Sequence, residues 1–275
     1  MPDQKKEKDV DLEKPRQTYT LPQIYDIAFD FRDVSEEVDF LLGISEKQIG
    51  RKVKSAFEMA CGPAYHTREI ARRGVVSVGL DIEPAMVKYT QELIAKENIK
   101  ADIFVGDMRS FKSDKKYDLV YMLMASFAQL LTNKDIIDNF NCAANLLTDG
   151  GIYIISTAHP RDFYGDEKPT VKNTWEMTRG DIKVMTDWGG DDQKFDALTE
   201  IDDIVVSFDV TTPEGKKRYE FPDRYRRCSI KTFEAFVELS GRFEIVDRYG
   251  AVDPKIKLSN ASESWRFVPI LKKVK

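Results

Sequence analysis

Between Ser55 and Asp107, short apolar runs alternate with stretches in which apolar residues recur every three to four positions. The runs Ser55–Ala60, Val75–Leu80 and Asp102–Val105 read as strands, and the stretches over 66–73 and 86–95 as helices. Cys61-Gly62-Pro63-Ala64 turns the chain tightly into the first helix, which Gly74 closes, and Pro84 sits where a helix's first turn tolerates it. Further strands are predicted at Tyr117–Leu123 and Ile152–Ser156, separated by an amphipathic helix over 135–147 that Asp149-Gly150-Gly151 stops. Strands alternating with helices predict an α/β fold: a Rossmann-like, doubly wound parallel sheet with right-handed crossovers.

The flanking segments differ in pattern. Residues 1–17 are mostly Lys, Glu and Asp with two prolines, a composition that cannot offset its own ordering entropy, so a disordered tail is expected. From Leu21 the helical period returns, predicting two N-terminal helices that end near Gly43. After His159-Pro160 the helical period is lost. Residues 181–188 and 204–210 alternate at period two, and Thr212-Pro213-Glu214-Gly215 is a turn into 217–227. Residues 161–229 therefore read as a β-rich insertion, a lid for a substrate. The αβ rhythm resumes with a helix over 232–239, a Gly241 cap and strands over 243–249 and 265–271. The main domain is thus expected over 18–160 and 230–275.

Composition narrows the function classes. The net charge of -5, from 42 basic against 47 acidic residues, offers no general attraction to phosphate backbones, so no nucleic-acid partner is expected. Three widely spaced cysteines without a CxxC suggest neither a disulfide framework nor a metal site, and fit a reducing, cytoplasmic setting. No apolar run approaches the ~18 residues needed to span a bilayer, so no membrane partner is expected. A monomer or homodimer is expected.

Two apolar runs end beside a lone carboxylate, at Asp81 and at Gly106-Asp107, and Glu58 lies at the end of the first. A dinucleotide would want several loop glycines so that backbone amides could approach a pyrophosphate. Here the loop has one glycine, Gly62, and a glutamate four residues before it, which would repel phosphate and attract a cation. S-adenosyl-L-methionine is such a ligand: it carries an ammonium and a sulfonium and no phosphate. Asp81 can accept from both ribose hydroxyls and Asp107 from the adenine amine.

Glu58-Met-Ala-Cys-Gly62-Pro-Ala, Val78-Gly-Leu-Asp81, Gly106-Asp107-Met108, Tyr117-Asp-Leu-Val120, Ser126-Phe127 and Leu146-Leu-Thr-Asp-Gly150-Gly151 together resemble a class I S-adenosylmethionine-dependent methyltransferase of the small-molecule type. The resemblance covers roughly residues 20–160 and resumes near 220. It implies a seven-stranded sheet ordered 3-2-1-4-5-7-6 with the last strand antiparallel. The family's first motif reads acidic-x-Gly-x-Gly-x-Gly, and Ala60 and Ala64 stand at its outer glycine positions. The resemblance further implies cofactor contacts from Tyr25, Arg32, Glu58, Ala60, Cys61, Gly62, Asp81, Ile82, Gly106, Asp107 and Met108, with Tyr25 closing over the cofactor. Met122, Met124 and Phe127, at the end of the fourth strand, are candidates to touch the adenine or sulfonium. The ending Glu263–Pro269 with Arg248-Tyr249-Gly250 is similar to members that methylate amines on sugars or metabolites. Pro269 inside the last strand demands a bulge or a lost ladder bond.

Methyl transfer from a sulfonium is an in-line displacement, so positioning and exclusion of water dominate, and a base is needed only when the nucleophile arrives protonated. Tyr25 and His159 are the catalytic candidates, His159 because it falls just past the fifth strand; its alternative is a loop histidine with no task. Cys61 reads as a loop packer and His66 as structural or exposed. Lys216, Lys217, Arg218, Arg224, Arg226 and Arg227 form either a solvated face or an anion-recognising one, and Trp175 and Trp188 either core or an aromatic wall. The expected acceptor is a small-molecule amine, carboxylate or hydroxyl. The rivals are a nicotinamide-dependent oxidoreductase, which the missing glycines disfavour, and a non-catalytic S-adenosylmethionine-binding module.

Overall fold

The computed structural model describes residues 17–164, 173–189 and 194–274. The tail expected over residues 1–17 therefore lies outside the described residues except for Gln17. The elements run α1 (Pro22–Ala28), α2 (Val34–Ile49), β1 (Ser55–Met59), α3 (Tyr65–Arg72), β2 (Val76–Asp81), α4 (Pro84–Lys96), β3 (Ala101–Val105) and β4 (Tyr117–Met122). They continue with α5 (Asn133–Leu146), β5 (Leu147–Ile155), β6 (Thr157–Ala158), α6 (Arg161–Tyr164), β7 (Thr174–Arg179), β8 (Ile182–Trp188) and β9 (Lys194–Asp196). The chain closes with β10 (Ile201–Thr212), β11 (Gly215–Arg226), α7 (Ile230–Ser240), β12 (Phe243–Tyr249) and β13 (Arg266–Lys273).

The main sheet has the order β12-β13-β5-β4-β1-β2-β3, with the two-residue β6 paired to β13. Strands β1 to β5 are parallel and β13 runs antiparallel to both neighbours. This is the order the sequence implied. β4, at the centre, is buried at every position, as a strand covered on both faces must be. Period-two alternation sends Phe57 and Met59 to the face packed by α5 and α7, while Ala56 faces α2 and Ile70 of α3. Glu58 alternates onto this second side. It is a carboxylate in an otherwise apolar layer.

Three details differ from the sequence reading. α2 runs straight through Gly43 and ends at Gly50, whose φ of 73° makes the left-handed cap. Ile44 and Ser45 are buried beyond Gly43, and that burial outweighs the roughly 1 kcal/mol an exposed helical glycine costs. Asp149-Gly150-Gly151 does not stop a helix: α5 ends at Leu146 and β5 starts at once, with the glycines inside it at a register shift against β4. The irregularity demanded by Pro269 lies mainly on the neighbour. β12 bulges between Ile245 and Asp247, and β13 pairs with β5 over 270–272 and with β6 over 266–267, leaving Val268 and Pro269 between the two ladders.

The segment expected to be β-rich forms a second, antiparallel sheet, β11-β10-β8-β7, with β9 on β10. β10 and β11 pair along their whole lengths from Ile201↔Arg226 to Thr212↔Gly215. One face of this sheet, with Val184, Val206, Phe208 and Val210, packs on Ile27 and Ala28 of α1 and on Phe29, which caps it. Polar ties reinforce the contact: Trp175 Nε1 donates to the Ala28 carbonyl at 2.6 Å, and Arg179 pairs with Asp26. The insertion and the N-terminal helix are thus one packed unit. Among the described residues no helix is long and apolar enough to cross a membrane, and no cluster of His, Cys, Asp and Glu suits a metal.

Two glycines give a matched test of this packing. A Cβ on Gly250 would lie 2.8 Å from the Ser264 Cα, a backbone atom, whereas Gly43 has nothing within 4 Å. Gly250→Ala is expected to destabilise by about 1–3 kcal/mol and Gly43→Ala to stabilise by about 1 kcal/mol, read from urea midpoints.

Candidate functional site

The carboxyl ends of β1 and β2 carry the first part of the site. β1 stops at Met59 because the next residues leave strand geometry: Ala60, Gly62 and Ala64 have φ of 52°, 52° and 53°, all left-handed. Gly62 takes this conformation freely, whereas each alanine bears a strain of roughly 1–2 kcal/mol. The turn is held by hydrogen bonds: Cys61 N donates to Leu80 O at 2.9 Å, and Gly62 N to Asp81 Oδ2 at 2.8 Å. Cys61 packs against Gly79, where a Cβ would stand 2.9 Å from its Sγ. Burial raises its thiol pKa well above the ordinary value, which suits a packing role.

Glu58 is buried and fully engaged. Its Oε2 accepts from Thr67 N (3.1 Å), Thr67 Oγ1 (2.6 Å) and Tyr121 OH (3.2 Å), and its Oε1 faces His66 Nδ1 at 3.2 Å. His66 Nε2 meets Glu37 Oε2 at 2.7 Å, and Arg32 pairs with the same Glu37 oxygen at 2.6 Å. His66 thus sits between two carboxylates. Burial and the Arg32 charge oppose its protonation, but hydrogen bonds to Glu37 and Glu58 outweigh them, and its pKa is raised. Of the two sequence readings of His66, structural or exposed, the structure shows the first, with partners Glu37 and Glu58 that reach it only through the fold.

Asp81 is half-buried at the end of β2. Each of its oxygens accepts one backbone N–H, from Gly62 at 2.8 Å and Glu83 at 2.9 Å, so each keeps a lone pair for a diol. Burial pushes its pKa up to about 6. Ile82 beside it is exposed, as an apolar platform for a base would be. Asp107 differs from expectation. The Arg109 side chain folds back onto both of its oxygens at 2.6 to 3.0 Å and also pairs with Asp135, so its acceptor capacity is already used. Gly106 is packed tightly, a Cβ there meeting Leu80 Cδ1 at 2.6 Å, and Met108 lies half-buried against the core.

Two spaces adjoin at the loop. The smaller, about 400 Å³, lies over it and is lined by Tyr25, Phe29, Arg32, Glu58, Ala60 to Pro63, Tyr65, His66, Leu123, Met124 and Ser126. The larger, about 1040 Å³, has aromatic walls of Tyr19, Phe163, Trp175, Trp188, Tyr225 and Trp265, with Asp162, Arg227 and Arg266 among its polar residues. Tyr25, Phe29, Met124 and Ser126 line both. Met124 and Ala125 have φ of 55° and 60°, a second left-handed pair at this seam. Tyr25 stands over the loop, 3.8 Å from where a Gly62 Cβ would be, and burial raises its phenol pKa well above 10, so it stays protonated.

Of the other expected site residues, several are placed elsewhere. Met122 and Phe127 are buried in the core beside Phe140, away from both spaces: β4 points Met122 into the α5 layer, and the 3-10 turn Ser126–Gln129 that follows sends Phe127 the same way. His159 lines neither. Its Nδ1 accepts from Arg161 N at 3.2 Å, and its Nε2 donates to Ser259 O at 3.1 Å, an arrangement that caps α6 and uses both nitrogens. Burial lowers its pKa and holds it neutral. Of the basic run, Arg218, Arg224 and Arg226 are paired with acids, and Arg227 alone reaches the cleft. Trp265 and Arg266, not named as ligand contacts from the sequence, arrive at the start of β13; they fall in the ending Glu263–Pro269, whose likeness to amine-methylating members was their sequence signal.

Residues 56–151 match a sequence family described as "Methyltransferase domain". A curated relative, the demethylmenaquinone methyltransferase of Tropheryma whipplei (strain Twist), is 29% identical over 113 residues, 40% of this chain and 44% of that protein. The chain thus spans under half the length of the curated relatives it matches. Among solved structures, an S-adenosylmethionine-dependent methyltransferase from Clostridium acetobutylicum superposes with a TM-score of 0.76 at 16% identity, covering 94% of this chain and 100% of that one. The S-adenosylmethionine-bound CalS10, an amino pentose methyltransferase from Micromonospora echinaspora, superposes at 0.68 with 13% identity, covering 92% and 97%. The matched stretch is similar to that family, and the fold of the chain is that of S-adenosylmethionine-dependent methyltransferases.

Two measurements probe the loop and its network. Relieving left-handed strain, Ala60→Gly is expected to raise stability by up to about 1 kcal/mol in urea unfolding. Because the His66 pKa is raised in the folded state, its stabilisation is full below about pH 6.5 and is lost as pH rises through the folded value. The stability difference between the wild type and His66→Gln should therefore shrink above pH 6.5; a constant difference would contradict the double ion pair.

Proposed function

We propose that this chain transfers the methyl group of S-adenosylmethionine to a small-molecule acceptor. The observation that carries the reading is the seam. A carboxylate-backed, glycine-sparse loop and an aromatic cleft meet at Tyr25, Phe29, Met124 and Ser126, so a cation over the loop faces whatever fills the cleft. When bound, S-adenosylmethionine supplies an electrophilic methyl on a good leaving group.

The chain's residues then do the following. Asp81 offers its two remaining lone pairs to the ribose diol. Glu58, with its Oε1 committed only to His66, adds negative potential where a methionine ammonium would lie. Arg32 is turned away from the ammonium by its pairing with Glu37. Tyr25 and Phe29 roof the seam and exclude water from it. As Tyr25 stays protonated, its hydroxyl serves as a hydrogen-bond partner for an incoming nucleophile, and the acceptor arrives with its lone pair free. An amine fits that demand better than a carboxylic acid or an alcohol, and the likeness to an amino pentose methyltransferase supports it. In this reading the β7–β11 sheet with α1 is the lid that shapes the acceptor site, and His159 holds the lid's root.

Calorimetric titration with S-adenosylhomocysteine tests the cofactor half. Asp81→Ala should weaken binding by tenfold or more, while His159→Gln should leave it within about twofold; unchanged affinity on losing Asp81 would sink the assignment.

A further inference from the structure

Resting on the reading of the cleft as an acceptor site, we propose that Arg266 is its anion anchor: the methylated molecule carries a carboxylate or phosphate group that Arg266 holds while its planar part lies along Trp175 and Trp188. The basis is an imbalance among the arginines at the site. Arg227 is committed to Asp202 through Nε (3.0 Å) and a terminal nitrogen (2.9 Å), and lies over the Phe163 ring at 4.2 Å. Arg32 is committed to Glu37. The Arg266 guanidinium makes no hydrogen bond or ion pair among the described residues, and its recorded neighbour is the Trp265 ring, 4.5 Å away. It nonetheless lines the cleft.

Its position is set by the sheet. Arg266 N donates to Gly250 O at 2.7 Å, and the residue pairs with Ala158 of β6. A half-buried guanidinium without an acceptor is costly, because water is withdrawn and nothing replaces it. Burial is the main influence lowering its pKa to about 10, the charges of Arg32 and Arg227 add to this, and Glu37 and Asp162 only partly offset them. A guanidinium so placed is built to receive a planar or tetrahedral oxyanion through paired N–H donors.

The aromatic lining of the cleft takes a flat group. Trp175 and Trp188 are stacked at 6.3 Å with 24° between planes, and Tyr225 continues the surface at 6.5 Å and 26° from Trp188. A molecule with a ring at one end and an anion at the other satisfies both at once and leaves its nucleophile toward Tyr25 and the seam.

The chain has three tryptophans, Trp175, Trp188 and Trp265, and all three line this cleft, so intrinsic fluorescence reports its occupancy directly. The full chain is titrated with phenylacetate, phenyl phosphate and the neutral phenylacetamide, with and without S-adenosylhomocysteine. Saturable quenching is expected for at least one of the two anions, at least tenfold tighter than for the amide. Arg266→Gln should abolish that preference, and Arg266→Lys should retain part of it. Equal binding of anion and amide, no saturable quenching by either anion, or an undiminished preference in Arg266→Gln would overturn the proposal. Calorimetric binding of S-adenosylhomocysteine to Arg266→Gln at wild-type affinity establishes that the variant is folded. Failure of the wild type to bind it would overturn the methyltransferase reading, while the titrations without cofactor still decide the anion anchor.

Discussion

A carboxylate buried in an apolar layer must be satisfied locally, and Glu58 shows how much structure that single requirement organises. To supply its oxygens the fold brings together the start of α3 through Thr67 and His66, the carboxyl end of β4 through Tyr121, and, behind His66, α2 through Glu37. Removing one member of such a set typically costs about 3–5 kcal/mol because an unpaired charge is left behind. The same carboxylate fixes the polarity of the space above the loop. Structure and ligand preference therefore rest on one group.

How much of this was legible in sequence follows from how local each constraint is. The parallel strands were readable because most of them are covered on both faces and so are short continuous apolar runs, the edge strand β3 excepted, and the final sheet order followed from the resemblance. Gly43 and Gly150-Gly151 misled because glycine reports backbone permissiveness and says nothing of the burial around it; Ile44 beyond the first and the β4 ladder beside the second decided those segments. Glu58 and Asp81 come together with Gly62 because the first two are at the ends of adjacent strands and Gly62 is in the turn just after the first, which sequence can place. The double partnership of His66 and the reach of Arg266 depend on residues far along the chain, and neither has a local pattern. His159 shows the reverse error: a rim position in the chain is no guarantee that a side chain faces the rim, and this one turns inward to cap α6.

Among the described residues, four of the six non-glycine residues with left-handed φ, Ala60, Ala64, Met124 and Ala125, lie at the loop and at the seam. Ala60 and Ala64 show that the turn's geometry is imposed by the strands and α3 around it, since the residues themselves disfavour it. Strain of this kind persists only where the surroundings over-determine the conformation. Here those surroundings are the Cys61–Leu80 and Gly62–Asp81 hydrogen bonds, so β2 acts as the template for the loop that follows β1.

Asp26 has a consequence for the order of events during folding. This one residue of α1 accepts from Tyr89 on α4 and pairs with Arg179 on β7, while its carbonyl accepts from Tyr65 on α3. Its partner Arg179 lies 153 positions away, so the contact forms only after a very long loop has closed and the β7–β8 hairpin exists. Such contacts bring their stabilisation late, after the entropy of closure has been met. Helix α1 is thus held by α3 and α4 from one side and by β7 from the other, and its longest-range tie, to Arg179, waits on the β7–β8 hairpin.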